Sequence, residues 1–225
     1  MTALDMQVAF EMEAGLIDSA NKPSTTDIFY WLNRATEQFV KTRYSGVNPK
    51  QKGFEQDQKR TADLRTIVKE VTLSTTTDSV KPNSYIATLP NDFWFEVGEE
   101  CSIQYTDQFS NTITTRVGVM EMTIDRYSRE ILNPLSDSIL YNDKALPIRL
   151  FYQTYVELIS DGTYSIPIYY LRYLRQPGSI SLPSTASDLP VHTHIEIVKI
   201  AVQMYLENIT SNRIKTYSDM TTIME

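Results

Sequence analysis

The apolar period of this chain changes twice along its length. Residues 3–70 repeat apolar side chains every three to four positions, residues 71–175 alternate every second position, and residues 190–209 return to the helical spacing. A chain with these three regimes has helical stripes and a sheet face to bury, and so it reads as α+β. The pattern predicts an antiparallel helical bundle, made of N-terminal helices plus a long C-terminal helix, with an antiparallel β-rich region inserted. The boundaries are 1–70 for the N-terminal helices, 71–180 for the inserted region and 181–225 for the C-terminal helix and tail, forming one structural unit overall. At 225 residues, roughly 70% of the unfolded surface can be buried without staples.

In the first segment, ALDMQVAFEMEA places Leu4, Val8 and Met12 four apart, with Phe10 and Ala14 alongside and Gly15 as a stop. These are the positions predicted to be buried on a first helix. Ser24, Thr25, Thr26 and Asp27 supply N-cap chemistry for a second helix running to about Tyr44, with Ile28, Leu32, Ala35 and Phe39 as its inner stripe and Phe29 and Val40 widening it. A third helix is expected from near Gly53, using Phe54, Leu64, Ile67, Val68 and Val71. Near Pro190 the last helix starts. Its buried positions are Ile195, Val198, Val202, Tyr205 and Ile209, flanked by Ile197, Ala201 and Leu206.

Within FWFEVGEECSIQY the apolar positions are Phe93, Phe95, Val97, Cys101, Ile103 and Tyr105, which predicts a strand with one buried face. Gly98-Glu99 breaks the alternation and predicts a bulge or bend. DQFSN reads as a hairpin turn into 112–119, and Asp161-Gly162 as a turn between strands 148–155 and 165–175. IYYLRYL is apolar on both parities apart from Arg172, so it is central in a sheet or covered by another subunit. MTIDRYSREILNP suggests one short helix ending before Pro134.

Chemistry is scarce. One cysteine cannot form an internal disulfide, two histidines leave little for metal or acid–base work, and the seven glycines include no GxGxxG or P-loop pattern. His192 and Glu196 share a face at i,i+4, but no third metal ligand is near, so they and His194 read as capping or surface residues. Cys101 reads as a small buried hydrophobe. Glu96, Glu99 and Glu100, with Asp92, read as a solvated edge rather than as paired catalytic carboxylates. The N-terminus lacks a basic flank and long apolar run, so the chain is expected to stay in the compartment that makes it. No window approaches a membrane-spanning length.

The net charge of −7 is unevenly distributed. Residues 34–70 hold nine cations and five acids, a net +4, while 1–33 and 71–225 are net −4 and −7. The run Arg34, Lys41, Arg43, Lys50, Lys52, Lys59, Arg60, Arg65 and Lys69 could touch phosphates, but Glu37, Glu55, Asp57 and Asp63 among them favour a salt-bridging face. Arg172 and Arg175, in an aromatic strand with Tyr170 and Tyr173, suggest interface ion pairs or cation–π contacts. Arg60 and Arg65 suggest a basic face that meets an acidic face of the next copy. The N-terminal helix or the tail from Ser211 onward is expected to dock on a neighbouring protein, since both look under-buried alone.

TTDIFYWLNRATEQFVKTRYSG, FEQDQKRTADLRTIV, LPNDFW at a strand start, YYLRYLRQPGSISL and LPVHTHIEIVKIAVQMYLEN occur in that order over nearly the whole chain. Together they resemble the ring or head-to-tail adaptor proteins of crAss-like bacteriophages. The resemblance implies a non-enzymatic virion protein, made in the host bacterial cytoplasm, that forms a dodecameric ring in the neck between portal and tail. It also implies double-stranded DNA passing through without sequence specificity, with no catalytic residue, cofactor, metal or membrane partner. The alternative is a DNA-binding or scaffolding module using the basic helices of residues 34–70.

Overall fold

The computed structural model describes residues 1–16, 22–45, 54, 57–130, 146–183 and 186–209. In chain order they form α1 (Ala3–Ala14), α2 (Thr25–Ser45), α3 (Gln58–Leu64), a 3-10 turn (Arg65–Ile67), β1 (Val68–Ser74), β2 (Thr76–Thr77), β3 (Ser84–Thr88) and β4 (Phe93–Thr106). There follow β5 (Thr112–Gly118), β6 (Met120–Glu121), α4 (Ile124–Glu130), β7 (Ile148–Phe151), β8 (Tyr155–Ile159), β9 (Ser165–Arg175), a 3-10 turn (Val191–Thr193) and α5 (His194–Asn208). The fold is α+β and divides into two compact units, Met1–Val68 with Gln176–Glu225, and Lys69–Arg175.

In the first unit, α1 begins with a reciprocal capping box. The Asp5 amide donates to Thr2 Oγ1 at 3.1 Å and the Thr2 amide to Asp5 Oδ2 at 2.8 Å. Gly15 ends the helix at φ 69°, the left-handed conformation that glycine adopts without penalty. The buried row is Ala3, Met6, Phe10 and Ala14, whereas Leu4, Val8 and Met12 are 54%, 46% and 60% exposed. Of the expected positions, Phe10 and Ala14 are buried, and Leu4, Val8 and Met12 are not. Both rows of α1 are apolar, so periodicity cannot rank them; the choice is made by α5, whose Tyr205 ring meets Phe10 edge-on with 5.6 Å between ring centres.

Two contacts fix helix directions. Met1 lies near His194 at the start of α5, and Phe10 lies at Tyr205 near its end, so α1 and α5 run parallel. Arg43, near the end of α2, bonds Glu196 near the start of α5, so those two run in opposite senses.

α2 follows its pattern. Ser24 and Asp27 cap it reciprocally, and Ile28, Phe29, Leu32, Ala35, Phe39 and Val40 are buried. α3 is shorter than expected. Asp57 caps it by accepting from the Lys59 amide at 2.9 Å, and after Ile67 the chain turns extended. Val68 and Val71 belong to β1, where branched side chains fit a pleated surface better than a helix. On α5, Ile197, Val198, Ala201, Val202, Tyr205 and Leu206 are buried, while Ile195 and Ile209 are exposed.

The second unit holds two sheets, ordered β1-β9-β4-β5 and β2-β3-β8-β7-β6. β4 pairs antiparallel with β5 and β9, and β8 with β3 and β7, but β6 pairs parallel with β7, which departs from an all-antiparallel region. One core cluster draws Cys101 and Ile103 from β4, Ile166, Tyr169 and Leu171 from β9, and Ala87, Val156 and Leu158 from the other sheet. The sheets thus face each other across a shared core, as in a sandwich. β9 is central, as its two-sided apolar pattern requires. The register of β4 against β9 slips between Glu96 and Gly98, the expected bulge.

The turns also follow the sequence. Asp107 Oδ1 accepts from the amides of Phe109 and Asn111, both at 2.8 Å, to close the β4–β5 hairpin, and Gly162 takes φ 89° between β8 and β9. α4 ends at Glu130, and the remainder of its expected span lies outside the described residues, as does the tail after Ile209.

Candidate subunit interface

The expected interface residues take up different environments. Arg60 is only 3% exposed and donates to the Thr42 carbonyl at 3.1 Å. Tyr173 is buried, its hydroxyl on Asp92 at 2.8 Å, and burial, then this contact, pushes the phenol up to about 12. Both are accounted for inside the subunit. Arg65 is exposed on its 3-10 turn, and Arg175 is half-buried at the end of β9 opposite Phe93.

Tyr170 and Arg172 come together on the outer face of the four-stranded sheet. Register places Glu100 between Tyr170 on β9 and Gly118 on β5, and Gly98 opposite Arg172. The Arg116 guanidinium stacks 4.0 Å from the centre of the Tyr170 ring and pairs with Glu100. Glu70 on β1 completes the row, with Arg172 Nε at 3.4 Å and Arg116 Nη2 at 3.9 Å. Glu70, Gly98, Glu99, Glu100, Arg116, Tyr170 and Arg172 line a groove of about 170 Å³. The four outer charges are each 41–53% exposed, so each pair is worth only about 0–1 kcal/mol to the fold.

Beneath that face lies a site that the sequence reading missed. Glu99 is no solvated edge: its side chain is 7% exposed and accepts from Arg149 Nε at 2.7 Å and from the Tyr169 hydroxyl at 2.5 Å. Arg149 comes from the opposite sheet, is 3% exposed, stacks 4.1 Å from the Phe151 ring centre, and also donates to Glu96 at 2.7 Å. Glu121 stands 3.7 Å away. One cation thus faces three carboxylates. Burial, then repulsion from Glu99, pushes the Glu96 carboxyl up to about 7. The bulge at Gly98 was the available signal, because it breaks the alternation and lets both Glu96 and Glu99 turn inward.

In the helical unit the basic segment is largely paired. Arg43 is 4% exposed, with Nε 3.1 Å from the fully buried Asp63 and Nη2 2.6 Å from Glu196. Lys59 also reaches Glu196, Arg34 and Lys41 reach Glu37, and His192 Nε2 lies 2.9 Å from Asp63 Oδ1. In the other unit, Lys69 pairs with Asp92. Lys50 and Lys52 lie outside the described residues. His194 is buried rather than surface, on the Leu189 carbonyl at 2.9 Å, and desolvation holds its pKa below the usual value. Burial pushes the Cys101 thiol up to about 12, which makes it a poor nucleophile. Among the described residues no group of three or more His, Cys, Asp or Glu could hold a metal ion, and no helix is long and apolar enough to cross a membrane.

A family model described as phage tail ring protein 3/4 matches residues 26–218. This chain belongs to the crAss-like phage ring protein family. The matched residues span both compact units, from the first turn of α2 to beyond α5. No curated protein matches the chain. A tail ring protein is a structural part of the virion, assembled from copies of itself, and its exposed charged face and unburied apolar residues are candidates for those contacts.

Proposed function

We propose that this ring protein is a non-enzymatic homo-oligomer, a dodecamer, in the phage neck between portal and tail, where it conducts double-stranded DNA and offers a platform for tail attachment. The observation that carries the reading is the family match across both compact units. A closed ring brings two different faces of each copy together, head to tail. The row Glu70, Arg116, Glu100, Arg172 with Tyr170 supplies one such face: exposed, of mixed charge, and of little value to the lone subunit. Arg175, at the end of β9, and Arg65, in the helical unit, are separate further candidates. The helices α1, α2 and α5 act as the bundle that carries the β insertion. The net −7 of each copy favours a lumen that repels phosphate, so DNA passes without being read.

Native mass measurement tests the ring directly. The expected species is twelve times 25.9 kDa, with a central channel visible by electron microscopy. A monomer at every concentration tested overturns the reading. Salt-dependent retention on DNA by the free protein would favour the alternative, which the pairing of Arg34, Lys41, Arg43 and Lys59 already weakens.

A further inference from the structure

The four-stranded sheet has two open edges. In the order β1-β9-β4-β5, no described strand lies beyond β1 or beyond β5. Natural sheets blunt such edges with proline, bulges or very short strands, because unpaired amides and carbonyls template the addition of another strand. β5 has none of these devices. Its seven residues, Thr112–Gly118, keep an unbroken register against β4, contain no proline and are rich in β-branched side chains that favour a strand. The Asp107 amide donates to the Asn111 carbonyl at 3.0 Å, so hydrogen-bonded pairs recur at Tyr105 with Ile113, Ile103 with Thr115 and Cys101 with Val117. The backbone groups of Thr112, Thr114, Arg116 and Gly118 therefore point away from β4, and all four residues are exposed.

We propose that the β5 edge pairs with the β1 edge of an adjacent copy, so that the four-stranded sheet continues from subunit to subunit. Strand sense, length and both sheet faces select that occupant. The Thr75 amide donates to the Pro167 carbonyl at 3.2 Å while Glu70 reaches Arg172, so β1 runs antiparallel to β9. Strands β9, β4 and β5 alternate in turn, which leaves β1 and β5 pointing opposite ways. A copy set alongside in the same orientation thus presents its β1 antiparallel to β5, and each strand is seven residues long. On the inner face, Val117 of β5 and Val71 and Leu73 of β1 are partly buried against the core cluster, so joining the edges would extend that apolar layer. On the outer face the charged row reads Glu70, Arg172, Glu100, Arg116 in sheet order, negative and positive in alternation. It ends in an acid on β1 and a cation on β5. Joining those edges brings Arg116 against the next copy's Glu70, whereas two β5 edges would bring cation to cation. Contact between two different edges is also what a head-to-tail ring requires. The inference deepens the ring reading and rests on it for the presence of an adjacent copy.

The test mixes full-length Glu70→Cys with full-length Thr114→Cys, Arg116→Cys or Gly118→Cys, with Cys101 left in its buried site. These three residues are successive outer-face positions on the β5 edge, so paired strands bring one of them within disulfide reach of position 70. Mild oxidation is expected to give a linked species of twice 25.9 kDa, with a yield roughly tenfold above that from Ser110→Cys at the hairpin tip, which lies beyond the paired edge. No link with any of the three overturns the proposal. An equal yield from Arg116→Cys alone also overturns it, because two β5 edges then meet. Thr114→Pro removes an outward amide and no bond to β4, so it is expected to keep the subunit folded and lose the ring in native mass. Folded Thr114→Pro that still forms full rings overturns the proposal, and if that variant does not fold the cysteine pairs decide. Native mass of the unmodified chain is read in parallel. A ring without links removes the edge pairing alone, whereas links without a closed ring remove the ring reading and keep the pairing.

Discussion

Arg149 on β7 crosses the sandwich to Glu99 on β4, with its Nη2 2.6 Å from the carboxylate oxygen and both side chains less than a tenth exposed. The contact joins the two sheets at a point where the shared core gives way to charge. A buried pair of this kind contributes little relative to apolar packing, but removing one member strands the other without water. Arg149→Ala leaves Glu99 and Glu96 facing each other with Glu121 nearby. The expected loss is about 3–5 kcal/mol of stability, read as a fall in the urea midpoint with an unchanged slope. A loss below about 1 kcal/mol would mean that water already enters the site.

Glu96 should make stability depend on pH with an unusual sign. Its carboxyl titrates near 7 in the fold against 4.5 for the unperturbed group, because burial and Glu99 outweigh Arg149. An acid that holds its proton more tightly when folded lowers stability as pH rises through 4.5 toward 7, and the full cost remains above that. Glu96→Gln should therefore raise the melting temperature at pH 8 and change it little at pH 4, where wild-type Glu96 is already protonated. An equal effect at both pH values would show that the carboxylate is comfortably ionised in the fold.

The helical unit depends on Asp63, which is fully buried between Arg43 and His192. Asp63→Ala removes the carboxylate from Arg43 Nε while Nη2 keeps Glu196. The expected cost is about 1–3 kcal/mol, for a buried donor left unsatisfied. Arg60→Glu belongs with it: buried as Arg60 is, reversing its charge should unfold the unit. Arg172→Glu, on the exposed sheet face, should shift stability by less than about 1 kcal/mol yet weaken assembly with a strong dependence on salt. Chemical denaturation and native mass, read on both variants, separate the two roles.

The limits of the sequence reading follow from which signals are local. The stripe of α2, the Asp107 turn, the bulge near Gly98 and the central place of β9 were legible because each follows from a few neighbouring residues. The buried face of α1 was not, since Phe10 and Val8 are equally apolar and only Tyr205, 195 residues downstream of Phe10, ranks them. The strand at Val68 was hidden by a helical stripe ending at Ile67. Of the candidate interface, the structure brings Tyr170 and Arg172 together on one sheet face, as their common strand and parity in the sequence imply. Glu70, Glu100 and Arg116 join them only through sheet register, and the burial of Arg60 and Tyr173 within the subunit was not legible because charge and aromaticity alone do not report it.

Gly98 offers the sharpest test of the charged sheet face. A Cβ placed there meets nothing within 4 Å, and its backbone is not in the left-handed region, so a side chain can be added without strain. Its position opposite Arg172 lets that side chain project into the groove between Tyr170, Arg116 and Glu70. In a strand, replacing glycine with an aromatic residue favours the extended backbone. Gly98→Tyr should therefore keep or slightly raise the melting temperature of the subunit while filling the groove. If a neighbouring copy inserts there, the variant stays below ring mass at concentrations where the wild type assembles, and Gly98→Ala assembles normally because a methyl group leaves most of the roughly 170 Å³ open. Full-size rings from Gly98→Tyr would move the subunit contact away from this face.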